Sequence, residues 1–162
     1  MTCYEATERL REIAGEAAKK FESLPFHVHT EEFFSDARLG PTTEAKAKYI
    51  SITVVLSTHA PDDEEAGTEH RIGIGVEVKS KQVSSAEMES AEADFAANIE
   101  AALERLNTAE DPASELAALE AEADAKYREM VEAYRRALPK KMLTLLAAVI
   151  IAVGLIVLAT VL

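Results

Sequence analysis

One segment constrains this chain more than any other, an uncharged apolar stretch at residues 142–162 with the sequence MLTLLAAVIIAVGLIVLATVL. Thirteen of its 21 residues are leucine, isoleucine or valine. As a helix rising about 1.5 Å per residue, the stretch would span roughly 31 Å, the hydrocarbon thickness of a bilayer. A core helix of a small domain is amphipathic instead. The sequence therefore predicts a transmembrane helix here.

The residues that flank the span predict its orientation. Arg135, Arg136, Lys140 and Lys141 precede it, and basic residues stay on the cytoplasmic side of a membrane. The N-terminus is charged by its fifth residue and has no apolar segment typical of a signal peptide. We therefore expect a tail-anchored, single-pass membrane protein with its N-terminal domain in the cytoplasm. The basic cluster could also bind anionic lipid headgroups.

The span carries one possible packing motif. Ala148 and Ala152 are four residues apart, and small residues at this spacing let two membrane helices approach closely. Alanine is frequent in such helices, so composition alone also explains the pair. A homo-oligomer held together in the membrane stays one hypothesis.

Charge separates the rest of the chain from the span. The 162 residues carry a net charge of −12, and the first 139 carry 15 − 29 = −14. Nucleic-acid binders need basic surfaces that displace counterions, so we expect no nucleic-acid partner. The single cysteine, Cys3, cannot form an intramolecular disulfide and does not indicate an oxidising compartment.

Residues 1–24 have the pattern of an amphipathic helix. Thr2 and Glu5 have the spacing of a capping box, and Pro25 ends the pattern. The apolar residues recur at steps of three and four, and they are Ala6, Leu10, Ile13, Ala17, Phe21 and Leu24.

Residues 25–82 alternate between apolar and polar positions, as half-buried strands do. Strands are predicted at 25–34, 49–58 and 71–79, forming an antiparallel β-meander. A competing interpretation makes Thr30 the N-cap of a short helix that ends at Gly40.

Residues 84–138 change to helical periodicity. Ser84 with Glu87 predicts a second capping box, and Asp111 with Pro112 predicts the start of a further helix. The two helices are predicted to form an antiparallel hairpin. The expected buried faces are Met88, Phe95, Ile99, Ala102 and Leu106 on the first helix, and Leu116, Leu119, Ala123, Met130, Tyr134 and Ala137 on the second.

The predicted fold class is α+β. An N-terminal helix, a three-stranded antiparallel β-meander and an antiparallel helical hairpin form an acidic domain at 1–138. A C-terminal transmembrane anchor follows at 139–162. We expect the first helix to cover the apolar face of the sheet.

All four histidines fall in the predicted sheet. His27 and His29 share one strand face because side chains alternate, while His59 and His70 bracket the hairpin loop. A meander would gather the four at one end of the sheet, near the acidic loop 62–65. Imidazole with carboxylate suits Zn or another transition metal. Exposed histidines at strand ends explain the same pattern without a metal.

Other catalytic motifs are missing from the sequence. There is no Walker loop and no GxGxxG, and Gly73 and Gly75 lie inside a strand, where they allow close approach to one sheet face. The sequence favours a non-enzymatic protein-interaction or scaffold module at the membrane surface, with no cofactor. The expected partners are the lipid bilayer and a protein or a second copy of the chain. The alternative function is a tethered, histidine-lined metal or enzymatic site.

Overall fold

A computed structural model describes residues 1–38, 46–60, 67–133 and 136. In chain order these form α1 (Cys3–Lys19), β1 (His27–Arg38), β2 (Lys46–Ser57), β3 (Glu69–Val78), α2 (Ser85–Thr108) and α3 (residues 112–133). The fold is therefore α+β, with three antiparallel strands and three helices, as predicted.

The chain forms two compact units, Met1–Glu122 and Ala123–Leu162. In the second unit, residues 123–133 are helical, and Tyr127 and Met130 are largely exposed. In the described parts of the chain, no helix is both long and apolar enough to cross a bilayer. The predicted span at 142–162, with Ala148 and Ala152, lies outside them.

The helix starts follow local hydrogen bonding. Thr2 and Glu5 form the predicted capping box at α1, and the Asp111 carboxylate accepts from the Ala113 backbone N–H at 3.1 Å before α3. The capping box predicted at Ser84 is wrong, because the Ser84 side chain makes no cap hydrogen bond. The Glu87 carboxylate accepts instead from the Glu77 backbone N–H on β3, at 2.6 Å.

The sheet has the order β1-β2-β3 with antiparallel neighbours, as the meander predicts. Residues 30–38 belong to β1, so the alternative short helix that starts at Thr30 is wrong. The reason is that the alternation continues: Thr30 pairs with Val54 and Glu32 with Ile52 in one unbroken register.

Helices cover one face of the sheet and bury a single apolar cluster. Helix α1 packs mainly against β2, on the face that we expected it to cover, and α2 covers the same face mainly against β3. A three-stranded sheet is too wide for one helix about 10 Å across. The strands contribute Ile50, Ile52, Val54, Leu56, Ile72, Ile74 and Val76.

The predicted helix faces are confirmed in part. The buried residues of α2 are the five predicted ones, and Leu116 and Leu119 are buried on α3. Ala123 and Met130 are exposed, which corrects the prediction for that face. These two residues are exposed because, among the described residues, the apolar cluster does not extend along α3 beyond Leu119. Tyr134 and Ala137 lie outside the residues whose side chains are described.

Candidate functional site

Side-chain alternation gives the sheet a helix-covered face and a face that we call the open face. The strand residues of the core are even-numbered on β2 and β3, and the register pairs even with even across all three strands. Odd-numbered residues therefore project to the open face. Among the strand residues whose side chains are described, these are His27, His29, Glu31, Phe33, Tyr49, Ser51, Thr53, Val55, Ser57, Glu69, Arg71, Gly73, Gly75 and Glu77.

A charged network occupies one end of the open face. The Arg71 guanidinium on β3 donates to the Glu31 carboxylate on β1 and, at 2.8 Å, to Glu69. Its side chain must cross β2 to reach Glu31, because Arg71 pairs with Val55 and Glu31 with Thr53. Val55 is fully buried although it belongs to the open face. The network thus covers an apolar side chain and joins both edge strands.

His29 extends this network on β1. Its Nε2 lies 3.3 Å from the Glu31 carboxylate. Burial raises the pKa of Glu31, but the hydrogen bonds from Arg71 and His29 outweigh that effect and hold the pKa below its usual value. The Nδ1 atom of His29 is buried and has no hydrogen-bond partner among the described residues.

Toward the other end of the open face, one large apolar side chain is exposed. Phe33 on β1 is half exposed, and its row continues through Ser51 to Gly75. Gly73 and Gly75 are both exposed. A methyl group added at Gly75 would lie only 3.1 Å from Ser51 Cβ. Gly75 therefore leaves β3 without a side chain in the row of Phe33, with Ser51 of β2 lying between the two residues.

The structure brings the four histidines to one end of the sheet but divides them between its faces. His27 pairs with Ser57 and His29 with Val55, on the open face, whereas His70 pairs with Leu56, on the helix-covered face. His59 follows β2, and its ring occupies the space beside Gly67, where an added Cβ would lie 2.5 Å from Nδ1.

No group of three or more His, Cys, Asp or Glu side chains within the described residues could hold a metal ion. The acidic loop 61–66 lies outside those residues, so its part in the metal hypothesis stays a prediction. The Sγ of Cys3 donates to the Lys81 carbonyl at 3.3 Å.

His70 lies beside a charged cluster that joins α2 to α3. Arg105 on α2 donates to Glu115 at 2.6 Å and to both Glu122 carboxylate oxygens at 2.9 Å. Burial lowers the pKa of His70, and the positive charge of Arg105 adds to this, while Glu122 opposes it. Its Nδ1 has no hydrogen-bond partner among the described residues.

Of the predicted membrane-flanking residues, the structure describes Arg136 alone. Its guanidinium is exposed and pairs with Glu132 at 2.8 Å, one helical turn earlier. Arg135, Lys140 and Lys141 lie outside the described side chains.

Sequence reasoning missed the residues that define the open face. Phe33 and Arg71 have odd residue numbers, like His27 and His29, whereas the core residues of β2 and β3 have even numbers. That parity was a readable signal, because side chains alternate along each strand.

Comparison with known proteins gives no relative from which to transfer a function. No protein-family model matches the chain, and neither the curated proteins nor the solved structures contain a match. The candidate site therefore rests on its own geometry. That geometry is an arginine–carboxylate network and an exposed phenylalanine on the sheet face that none of the described helices covers, and such a surface suits binding.

Proposed function

We propose that this protein is a non-enzymatic interaction module held at a membrane surface. Residues 142–162 span the bilayer, and the basic residues before them keep the α+β domain on the cytoplasmic side. The two C-terminal helices form an antiparallel hairpin that leads into the span. Tethering raises the effective concentration of the domain toward partners on the same membrane.

The observation that carries the binding role is the exposure of Phe33 on the open face. An antiparallel sheet can leave one face in water, but such a face is then polar. Phe33 departs from that pattern, since half of its surface is exposed, and aromatic side chains are enriched where proteins bind one another. The exposed glycines on β3, on the same face of the sheet, let a partner's backbone approach closely.

The metal alternative has weaker support. His70 projects to the opposite sheet face from His27 and His29, and a transition-metal site needs its ligands to converge. We therefore propose no metal or cofactor for this function.

A co-purification experiment on the full chain tests the proposal. We expect Phe33→Asp to remove at least one protein that co-purifies from membranes solubilised in mild detergent, because the charge prevents apolar burial. The matched control is Tyr4→Asp, which alters an aromatic side chain on α1 that is 75% exposed.

Deletion of residues 142–162 should release the chain from floated membranes while the melting temperature of the domain stays unchanged. If Phe33→Asp removes none of the co-purifying proteins, the binding role is refuted. Continued flotation of the truncated chain would refute the anchor.

A further inference from the structure

The two outer edges of the sheet differ in what occupies them. On β3, the Glu77 N–H donates to Glu87 of α2, and Lys79 exchanges both backbone hydrogen bonds with Gln82, so that edge is closed there. On the opposite side, β1 pairs with β2 alone. Among the described residues, no turn or loop hydrogen bond reaches the backbone of residues 28–33. As far as the structure describes the chain, the edge of β1 can therefore accept a further strand.

Hydrogen bonding across the sheet shows which residues of β1 direct their backbone groups outward. The Thr58 N–H donates to the Thr68 carbonyl at 3.1 Å, so even-numbered residues at β2 bond toward β3. Residues of an antiparallel strand alternate in this respect, so odd-numbered residues of β2 bond to β1, and odd-numbered residues of β1 bond back. The even-numbered residues Val28, Thr30 and Glu32 therefore direct their N–H and C=O groups to the outer edge.

The edge of β1 lacks the features that usually keep an edge strand from pairing. Those features are proline, lysine and β-bulges. The 12 residues of β1 contain neither proline nor lysine, and their pairing with β2 has no bulge. The carboxylates of Glu31 and Glu32 are held by Arg71 and Arg11. A long, unbroken edge of this kind is a template for strand addition.

The charges of β1 favour one antiparallel register with a second β1. Outward-facing residues must face outward-facing residues, so the two-fold axis has to pass beside a residue and its own copy. An axis at Glu31 or Glu32 places that glutamate opposite itself, and like charges directly opposite destabilise a strand pair. An axis at Phe33 opposes no like charges and pairs residues 28–38 of each copy.

The other registers are less favourable. An axis at Phe34 places Glu32 opposite Asp36, again two like charges. Axes at Thr30 and Ser35 oppose no like charges, but they pair fewer residues because they lie nearer the ends of β1. Charge and the length of the pairing thus favour the same axis.

The axis at Phe33 also accounts for the exposure of that side chain. Phe33 is 50% exposed on the open face, and in this register it faces Phe33 of the second copy. Because it is odd-numbered, the two form a non-hydrogen-bonded pair, in which side chains approach most closely. Aromatic pairs across strands are stabilising. The exposed apolar surface is then buried against its own copy.

The helices leave room for the second copy. Helix α1 packs mainly against β2, and β2 would lie about 7 Å from the two-fold axis at ordinary strand spacing. The two copies of α1 would then lie about 14 Å apart, farther than the about 8–10 Å between helices in contact. On this side the two Glu32 residues are diagonal neighbours, and Arg11 of the same copy neutralises each carboxylate.

We propose that two copies of this chain pair antiparallel through the edges of β1, with the two-fold axis at Phe33, and form a six-stranded sheet. The inference names a second copy as the partner of the interaction module and so rests on the proposed function. Because the axis is perpendicular to the sheet, both open faces lie on the same side. Tethering to one membrane raises the effective concentration of each copy for the other.

Disulfide formation between full chains in phosphatidylcholine vesicles tests the axis. All variants carry Cys3→Ser, and a mild oxidant is added. Two cysteines at the axis lie within reach of a disulfide, so we expect Phe33→Cys to form crosslinked dimers at least about tenfold faster than Tyr4→Cys. Tyr4 is the matched control, because it is an aromatic residue on α1 that is 75% exposed.

A mixture of two variants tests the register. With the axis at Phe33, His29 of one copy faces Ala37 of the other, so His29→Cys chains should crosslink with Ala37→Cys chains. Each variant alone should crosslink no faster than Tyr4→Cys. The two copies of either residue are then eight positions, or roughly 27 Å, apart along the strand.

Thr30→Pro tests whether backbone hydrogen bonds join the two copies. The Thr30 N–H points to the outer edge, so proline removes no bond to β2, and edge strands tolerate proline at such a position. We expect a melting temperature close to that of the wild type. Crosslinking of Phe33→Cys should fall to the rate of Tyr4→Cys when Thr30→Pro is added. Should the variant fail to fold, the mixture decides alone.

Three results would overturn the proposal. The first is a Phe33→Cys chain that crosslinks no faster than Tyr4→Cys, and the second is a mixture that forms no crosslink. The third is a folded Thr30→Pro chain that crosslinks at the full rate, as when open faces meet instead of strand edges. Vesicle flotation reports the anchor separately, and a different protein whose co-purification depends on Phe33 would still support the proposed function.

Discussion

Burial of the His70 ring is the main cause of its shifted pKa. The residue projects to the helix-covered face, opposite Leu56, and Arg105, Glu115 and Glu122 lie on the helices packed nearby. Burial and the Arg105 charge lower its pKa from the ordinary value of 6.5. The unfolded chain therefore binds a proton at His70 more readily than the folded chain does.

This pKa shift predicts a pH dependence of stability. As the pH falls below 6.5, the unfolded state is protonated first, so the free energy of unfolding decreases until the folded pKa is reached. Because His70 is partly solvated, we expect a loss of less than about 1 kcal/mol between pH 7.5 and 5.5. Urea unfolding of wild type and His70→Gln at both pH values measures it.

The shifted carboxylates affect the free energy of unfolding at a lower pH than His70 does. Hydrogen bonds from Thr2 lower the pKa of Glu5, and the Arg11 hydrogen bond lowers that of Glu32, so their stabilisation is lost only below pH 4.5. The control is His27→Gln, at an exposed residue of the open face. An equal loss of stability in wild type and His70→Gln would contradict the explanation.

Between β3 and α2, a tight turn contains backbone strain. Lys79 and Gln82 exchange both backbone hydrogen bonds at 2.9 Å, and the two residues between them, Ser80 and Lys81, have φ of 51° and 67°. Turns with positive φ at both central positions favour asparagine and glycine. A side chain there costs energy because Cβ crowds the backbone.

Lys81→Gly should therefore stabilise the protein. We expect the free energy of unfolding to rise by about 0.5–1 kcal/mol, the relief of left-handed strain less the added chain entropy of glycine. Ser84→Gly is the control, because Ser84 has φ of −71° and makes no side-chain cap hydrogen bond. If both substitutions raise the free energy of unfolding, or if neither does, the explanation by backbone strain is wrong.

Element types were predictable because each depends on local periodicity. The α2 face from Met88 to Leu106 was predicted residue for residue, since its spacing fits one side of a helix. The capping box predicted at Ser84 is absent, and the periodicity of the sequence does not reveal why. The Glu87 carboxylate accepts instead from the Glu77 backbone N–H on the edge of β3. That hydrogen bond depends on how α2 packs on the sheet.

The histidines show a different limit. The sequence placed all four at one end of the sheet, and the register confirms that location for His27, His29 and His70. Strand parity would already have separated His70 from the other two, because Ile72, Ile74 and Val76 share its parity and form the core. The network from Arg71 to Glu31 was unpredictable, since it depends on the register across β2.

At the scale of the whole molecule, one face of the sheet forms the core, and we propose that the other face binds a partner. The core joins α1, the sheet, α2 and the first turns of α3 in a single cluster. The open face holds its charges in place through Arg71 and leaves Phe33 exposed. The apolar sequence of residues 142–162 is the reason that we propose a membrane as the place where this domain acts.

The central claim is that the open face binds a protein while the chain is held at a membrane. Site-specific photo-crosslinking of the full chain in isolated membranes tests it most directly, with the crosslinker at position 33 or, as a control, at position 4. We predict a discrete protein adduct from position 33 that is absent from position 4 and lost when residues 142–162 are deleted. Indistinguishable adducts from the two positions, or an adduct that survives the deletion at full yield, would contradict the claim.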